Sequence, residues 1–375
     1  MNSSGVTFVS SKEEKKRFIE LPYHLYKEEE HWIPPLKMDQ KKLIDEKKNP
    51  FFDNAEIALF LAEKDGKDIG RIAAIIDHRY NEFHGTKTGH FGFFECIDHQ
   101  HTADLLFRVA SDWLRDKKME DVMGPASPSM MDTIGVLIDG FEKDPYILMP
   151  YNFAYYDKLI QKAGFSKEMD MYAYIVDSET VSLDRMNRAL DIVKRRMPDL
   201  EIRPVNLRKM KDEIKIIREI YNEAWKKNWG FIPLTEKEFA AAGKDMKMII
   251  NTDFAHVAEL DGEPIAFSIG FPNINEILKK MDGTLLPFGF LKILLGRKKT
   301  RGLRTALMGV LPEYQGKGID ALLHQRSIKN GLEGGITIES ELSWILESNK
   351  EMIRVADRIG GSRDKTYRMY FKAFK

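Results

Sequence analysis

Gln315-Gly-Lys-Gly318-Ile319 is the stretch whose residue types and order most constrain the chemistry. It lies between an apolar β-type run, Thr305 to Leu311, and an amphipathic pattern that predicts a helix over about Ile319 to Asn330. A strand turning through glycines into a helix aims successive backbone N–H groups at one point, backed by the positive end of the helix dipole. Such a cradle suits a phosphate or pyrophosphate. Gly316 and Gly318 let an anion approach the main chain, which a side chain would prevent. The spacing is that of neither common nucleotide loop: no Gly-Lys-Ser/Thr ends it, and no Gly-x-Gly-x-x-Gly opens an early βαβ unit.

A second group of reactive side chains follows. Glu339-Ser-Glu-Leu-Ser-Trp-Ile-Leu346 alternates as a strand does, which sets Glu339 and Glu341 on one face with Ser343. A carboxylate there can act as a general base, directly or through water, and Glu341 is the preferred one, ahead of Glu339 and Glu347. Tyr314, Tyr367 and Tyr370 are the hydroxyl donors at hand, each of them also a natural packing residue. Tyr221, Trp225 and Trp229 stand at i, i+4 and i+8 and predict one helical stripe, either packed on a sheet or forming a wall of an acceptor or acyl pocket. Phe231, with Trp229, stands where the chain leaves that helix for a loop, a setting in which aromatic side chains line pockets. His90, His99 and His101, with Asp98 and Cys96, lack the ligand spacing of a known metal site, so no metal is expected.

The run Pro312-Glu-Tyr-Gln-Gly-Lys-Gly318 resembles the acyl-CoA-binding motif of the GNAT (Gcn5-related N-acetyltransferase) superfamily, Gln/Arg-x-x-Gly-x-Gly/Ala after the fourth strand. Gln315 and Gly318 match it, and Asp320 stands where Gly or Ala is usual. Asn349 and Gly360 fit the second family motif, with Gly361 in the place of its Phe. Ala356 occupies the position from which a Tyr protonates the departing thiolate in many members. The resemblance implies an α/β (α+β) fold of two GNAT-like acyl-CoA N-acyltransferase domains, each a twisted, mixed, mostly antiparallel sheet flanked by helices. It implies acetyl-CoA or a longer acyl-CoA as donor. The pyrophosphate would lie on Gln315, Gly316, Lys317, Gly318 and Ile319, and the pantetheine along Met308, Val310 and Leu311, with Asn349 near cofactor and chemistry. A primary amine would attack the thioester directly, and backbone N–H groups near Val310 would hold the oxyanion. A non-catalytic acyl-CoA-binding scaffold is the alternative from a different class.

The elements that must position these residues repeat. Lys64-Asp-Gly66-Lys and Leu260-Asp-Gly262-Glu both read as tight turns between strands, 196 residues apart, and Gly164 and Gly360 close the halves at the same offset. Trp32 and Trp229 are 197 apart. Tandem duplication accounts for all three. The expected organisation is a degenerate GNAT-like domain over 1–178, a linker or helix over 179–200, and a catalytic GNAT-like domain over 201–375. The first half offers Asp98 to Ala103 opposite Gln315 to Asp320, without a glycine, so its own cradle is not expected to bind pyrophosphate.

Bulk properties add limits. Of 375 residues, Lys+Arg and Asp+Glu number 58 each, which gives no argument for a nucleic-acid partner. A single cysteine fits a reducing compartment, and the polar start of the chain lacks a signal peptide's apolar core, so a cytoplasmic protein is expected. Leu285 to Leu295 is apolar, too short to span a bilayer, and followed by cations to Arg301. That segment, 285–301, implies peripheral contact with an anionic membrane face or a cover over a greasy substrate, and with it a lipid amine in place of a small-molecule amine as acceptor. No feature argues for a particular oligomer.

Overall fold

The computed structural model describes residues 5–177, 183–246, 249–281, 283–285, 289–296, 300–333 and 339–374. The chain forms two compact units, one of Met1–Met171, Leu278–Leu285 and Lys365–Lys375, the other of Tyr172–Ile277 and Leu286–Asp364.

The first unit opens with β1 (Gly5–Phe8), α1 (Lys12–Leu25) and α2 (Lys37–Leu43). Ser11 and Glu14 start α1 as a capping box: Ser11 Oγ accepts from Glu14 N, and Glu14 accepts from Ser11 N. Then come β2 (Ala55–Lys64), β3 (Lys67–Asp77), α3 (His78–His84), β4 (Thr88–Cys96), α4 (Gln100–Asp116) and β5 (Asp121–Gly124). Short strands β6 (Ala126–Ser127), β7 (Thr133–Ile134) and β8 (Val136–Asp139) lead to α5 (Tyr156–Lys162) and β9 (Ser166–Asp177).

The second half of the sequence repeats the plan: α6 (Leu183–Arg196), β10 (Leu200–Pro204), α7 (Met210–Trp225), α8 (Glu236–Met246), β11 (Ala255–Leu260) and β12 (Glu263–Pro272). After α9 (Asn275–Leu278) and α10 (Gly289–Gly296) come β13 (Gly302–Val310), α11 (Ile319–Glu333), β14 (Glu339–Leu346), α12 (Lys350–Arg358) and β15 (Ser362–Ala373).

In each unit the hairpin strands pair antiparallel and one neighbouring pair is parallel. In the first unit the order is β1-β2-β3-β4-β5, with β4 parallel to β5 and Tyr370 to Ala373 of β15 beside β5. In the second it is β10-β11-β12-β13-β14, with β13 parallel to β14 and the end of β9 beside β14. Each unit thus takes in a strand segment from the other half of the sequence. The repeat holds in detail: Asp65-Gly66 and Asp261-Gly262 all have positive φ (53° and 75°, 53° and 81°), the two-residue hairpin turn that matches strand twist. A register shift follows Ala62 in one hairpin and Ala258 in the other.

Three details depart from the linear reading. Helix α7 ends at Trp225, so Trp229 is not on its stripe; Asn228 N closes a turn on Trp225 O, and Gly230 (φ 70°) turns the chain away. Leu278–Leu285, in the second half of the sequence, packs in the first unit, where Lys37 N donates to Gly283 O and Lys279 pairs with Asp144. Helix α6 packs on α11, with Gln325 donating to Asn187 and Val193 against Leu322.

Candidate functional site

The parallel pairing of β13 with β14 runs only from Gly302–Glu339 to Thr305–Leu342. Ala306 is then skipped in the register between β12 and β13, a bulge that bends β13 away from its neighbour. Beyond that point Leu311 N bonds Ile265 O. Antiparallel alternation therefore turns the N–H and C=O groups of Met308 and Val310 away from β12, toward the opening between the strands. Two side chains reach those carbonyls. Trp225 Nε1 donates to Met308 O at 2.8 Å, and Gln315 Nε2 donates to Val310 O at 2.9 Å.

Trp225 arrives there because α7 lies close on β13: a Cβ on Gly309 would sit 2.7 Å from Phe267 and 3.3 Å from Ala224. Tyr221 packs against Trp225, Phe231 and Phe239 with ring centroids 4.9 to 6.2 Å apart, and Phe231 is buried. On the other face, Met308, Val310, Leu311 and Tyr314 pack around buried Ile319 and Leu323 of α11.

The cradle has the conformation its glycines imply. Gly316 has φ 71° with nothing within 4 Å of an added Cβ, and Gly318 has φ 87° with Val193 Cγ2 2.9 Å from one. The first main-chain bond of α11 runs from Leu322 N to Gly318 O, so the N–H groups of Ile319, Asp320 and Ala321 precede it and point out of the helix end. Lys317, exposed, sits over the Tyr314 ring at 4.9 Å. This turn fits an incoming pyrophosphate: glycine surfaces, helix-end donors and one exposed cation, with Asp320 the only acid of the first turn.

The carboxylates separate. Glu339 is exposed, paired with Gly302 at the far end of β14 from the opening. Glu341 is completely buried, next to Arg304 in the register, with 3.8 Å between Arg304 Nε and Glu341 Oε1. Ser343 Oγ donates to Glu341 Oε1 at 2.6 Å and accepts from Arg304 Nε at 2.8 Å. Leu303, Thr305, Ser340 and Leu342 face α11, so alternation puts Arg304, Glu341 and Ser343 on the α7 face. The sequence reading missed Arg304. A lone arginine inside Gly302-Leu-Arg-Thr-Ala-Leu, opposite a glutamate in another apolar strand, was the available signal.

Asn349 caps α12, its side chain accepting from Met352 N at 3.1 Å. Ala356 is fully buried among Val176, Ile328 and Leu342, which leaves no room for the tyrosine of other members. Tyr367 and Tyr370 are buried in the first unit, where Tyr370 donates to Asp157. In that unit the equivalent strand edge is filled: Cys96 N donates to Tyr156 OH at 2.9 Å, and Tyr155 OH donates to Cys96 O at 2.8 Å. Among the described residues no group of His, Cys, Asp and Glu has the arrangement of a metal site.

His324 lines a small cavity between α11 and the paired strands, with Thr305, Ser327 and Ser340. Burial pushes its pKa down to about 4, and does the same to His256 and to His90 of the first unit. Unfolded imidazoles titrate near 6.5, so between about pH 6.5 and 4 the unfolded chain binds more protons. Stability present at neutral pH is therefore lost as pH falls through that window. The urea midpoint should drop steeply from pH 6.5 to 4.5, and His324→Leu should flatten the drop; an unchanged slope would show that His324 titrates normally.

No protein-family model matches the chain. It is 36% identical over 373 residues to the "Bacterial ceramide synthase" of Caulobacter vibrioides, covering 97% of this chain and 96% of that one. It is also 36% identical over 373 residues to "Protein YghO" of Escherichia coli, covering 98% and 94%. Among solved structures, a tandem GNAT protein from the clavulanic acid biosynthesis pathway superposes with a TM-score of 0.57 over 99% of this chain and 98% of its own, at 10% identity, a likeness of fold. The doubled fold, the splayed parallel pair and the glycine cradle agree with these relationships: the chain has the fold of tandem GNAT proteins and belongs to one family with the Caulobacter bacterial ceramide synthase and the Escherichia coli protein.

Proposed function

We propose that the chain moves a long acyl group from CoA to the primary amine of a lipid, such as a long-chain amino alcohol. The observation that carries the acyl-transfer geometry is the opening between β13 and β14, onto which Met308 and Val310 turn their main chain. In this reading the pyrophosphate rests on Gln315 to Ile319 and the pantetheine runs along Met308 to Leu311 as an added strand. The thioester oxygen takes the N–H of Val310 as the oxyanion develops. Donor and acceptor approach on opposite faces, the acceptor passing Trp225, Trp229 and Phe231. Glu341 is the proton sink. Asn349 acts by holding α12 beside the donor, and Tyr314 by flooring the cradle.

Two observations support the lipid. The Caulobacter relative is named for ceramide synthesis. Helix α10 leaves Leu291, Leu294 and Leu295 exposed, 50%, 42% and 71%, around one buried Ile293. An apolar face of this kind fits the headgroup boundary of a bilayer. The cations Arg297, Lys298 and Lys299, which the sequence reading assigned to an anionic membrane surface, lie outside the described residues. Among the described residues no helix is long and apolar enough to cross a membrane.

The experiment is CoA release from acetyl-, octanoyl- and palmitoyl-CoA with dodecylamine, with and without anionic liposomes. We expect palmitoyl-CoA to exceed acetyl-CoA by at least about 100-fold in kcat/KM, since each buried methylene contributes about 0.8 kcal/mol. Leu291→Ser/Leu295→Ser should release the protein from liposomes. Equal use of all three thioesters would remove the long-chain donor, and unchanged liposome binding would remove α10 as the contact.

A further inference from the structure

We infer that Ser343 is the proton relay of acyl transfer, touching the attacking amine and passing its proton to Glu341. This rests on the acyl-transfer reading above and adds a residue that the reading leaves out. Glu341 is 0% exposed and Ser343 is 5% exposed, so the carboxylate has no surface of its own to offer an amine. Ser343 Oγ supplies the link, donating to Glu341 Oε1 at 2.6 Å and accepting from Arg304 Nε at 2.8 Å. Arg304 Nη2 also donates to Ser343 O at 3.3 Å, so the guanidinium holds this residue at two points. Strand pairing stops at Leu342, which makes Ser343 the first β14 residue past the fork. It stands on the α7 face, where an amine would meet a thioester lying along Met308 to Leu311.

The neutral amine nitrogen attacks the thioester carbon, forming C–N and pushing the C=O electrons onto oxygen. The surplus N–H proton passes to Ser343 Oγ as the Ser343 hydroxyl proton moves to Glu341 Oε1. Collapse of the oxyanion breaks C–S, and CoA leaves as a thiolate that takes a proton from water. Glu341 then returns its proton to solvent through Ser343. The charged Arg304 donor on Oγ steadies the partial negative charge that oxygen carries in transit.

A cluster that merely pinned two strands together would leave the pH dependence of the chemistry alone, and that is the discriminating readout. The full chain is assayed with palmitoyl-CoA and dodecylamine across pH 6 to 10. Ser343→Ala should lower kcat/KM by about 100-fold or more, the usual span of a positioned acid–base group. Both profiles should climb toward the amine pKa near 10 as the neutral amine forms, and that of the variant should climb more steeply, since hydroxide must then take the second proton. Ser343→Thr, which keeps a hydroxyl, should keep the wild-type profile. Wild-type rates in mixed H2O and D2O should bow downward, as two protons in flight require. A Ser343→Ala enzyme with wild-type kcat/KM and pH profile overturns the relay, and so does a straight dependence on deuterium content, which decides the matter even where the alanine variant fails to fold. Should the wild type release no CoA with any amine, the acyl-transfer reading itself falls and takes the relay with it.

Discussion

Gly318→Asp is expected to abolish the rise in melting temperature that CoA and palmitoyl-CoA produce in the wild type. A ligand at 100 times its Kd stabilises the native state by about 2.7 kcal/mol, and the substitution removes that whole increment. Three effects converge. Gly318 has φ 87°, where an L residue is strained by about 1 to 3 kcal/mol. Its Cβ would press on Val193 of α6 at 2.9 Å, pushing the cradle out of shape. The added carboxylate, with Asp320 two residues on, then repels the anion that the helix end attracts. Gly316→Ala separates these causes: its φ of 71° is also left-handed, but its Cβ meets open space. It should retain most of the ligand-induced shift while melting lower by itself. Measured by thermal unfolding with and without 1 mM CoA, a full shift in Gly318→Asp would move the pyrophosphate away from Gln315 to Ile319.

The cradle was legible in the sequence because its signal is local. Glycines at Gly316 and Gly318 between an apolar run and an amphipathic one allow few other conformations, and the Asp-Gly turns at Gly66 and Gly262 are fixed by two residues each. The duplication was legible for the same reason, since turn glycines keep their spacing when side chains drift. The site across the strands was half legible. Alternation placed Glu341 and Ser343 on one face, yet their neighbour Arg304 lies 37 residues away on a parallel strand, and only the register brings them together. The bulge at Ala306 that opens the fork carries no residue signature at all. Trp229 was assigned to the α7 stripe because periodicity does not report where a helix stops, and Lys226-Lys-Asn-Trp-Gly230 holds no proline to mark the end. Leu278–Leu285 joins the first unit through contacts such as Lys279–Asp144, a long-range pairing that composition does not encode.

Arg304→Met is expected to be among the most destabilising single changes in the second unit, costing about 3 to 5 kcal/mol, because it removes the cation beside a buried carboxylate and the donor to Ser343 Oγ. Pairing it with Glu341→Leu should recover most of that loss, since an apolar pair of similar volume replaces a buried charge pair at little net cost. Glu341→Gln makes the opposite separation. It keeps the shape and an acceptor for the Ser343 hydroxyl, so urea unfolding should change by about 1 kcal/mol, while kcat falls by about 100- to 10,000-fold if Glu341 receives the proton. The two experiments together divide what the cluster does for the fold from what it does for the reaction. A stable but inactive Arg304→Met/Glu341→Leu protein assigns the charges to chemistry. An active Glu341→Gln protein would leave Arg304, Ser343 and Glu341 as a clamp that sets where β13 and β14 part, and the proton would have to leave the amine by water alone.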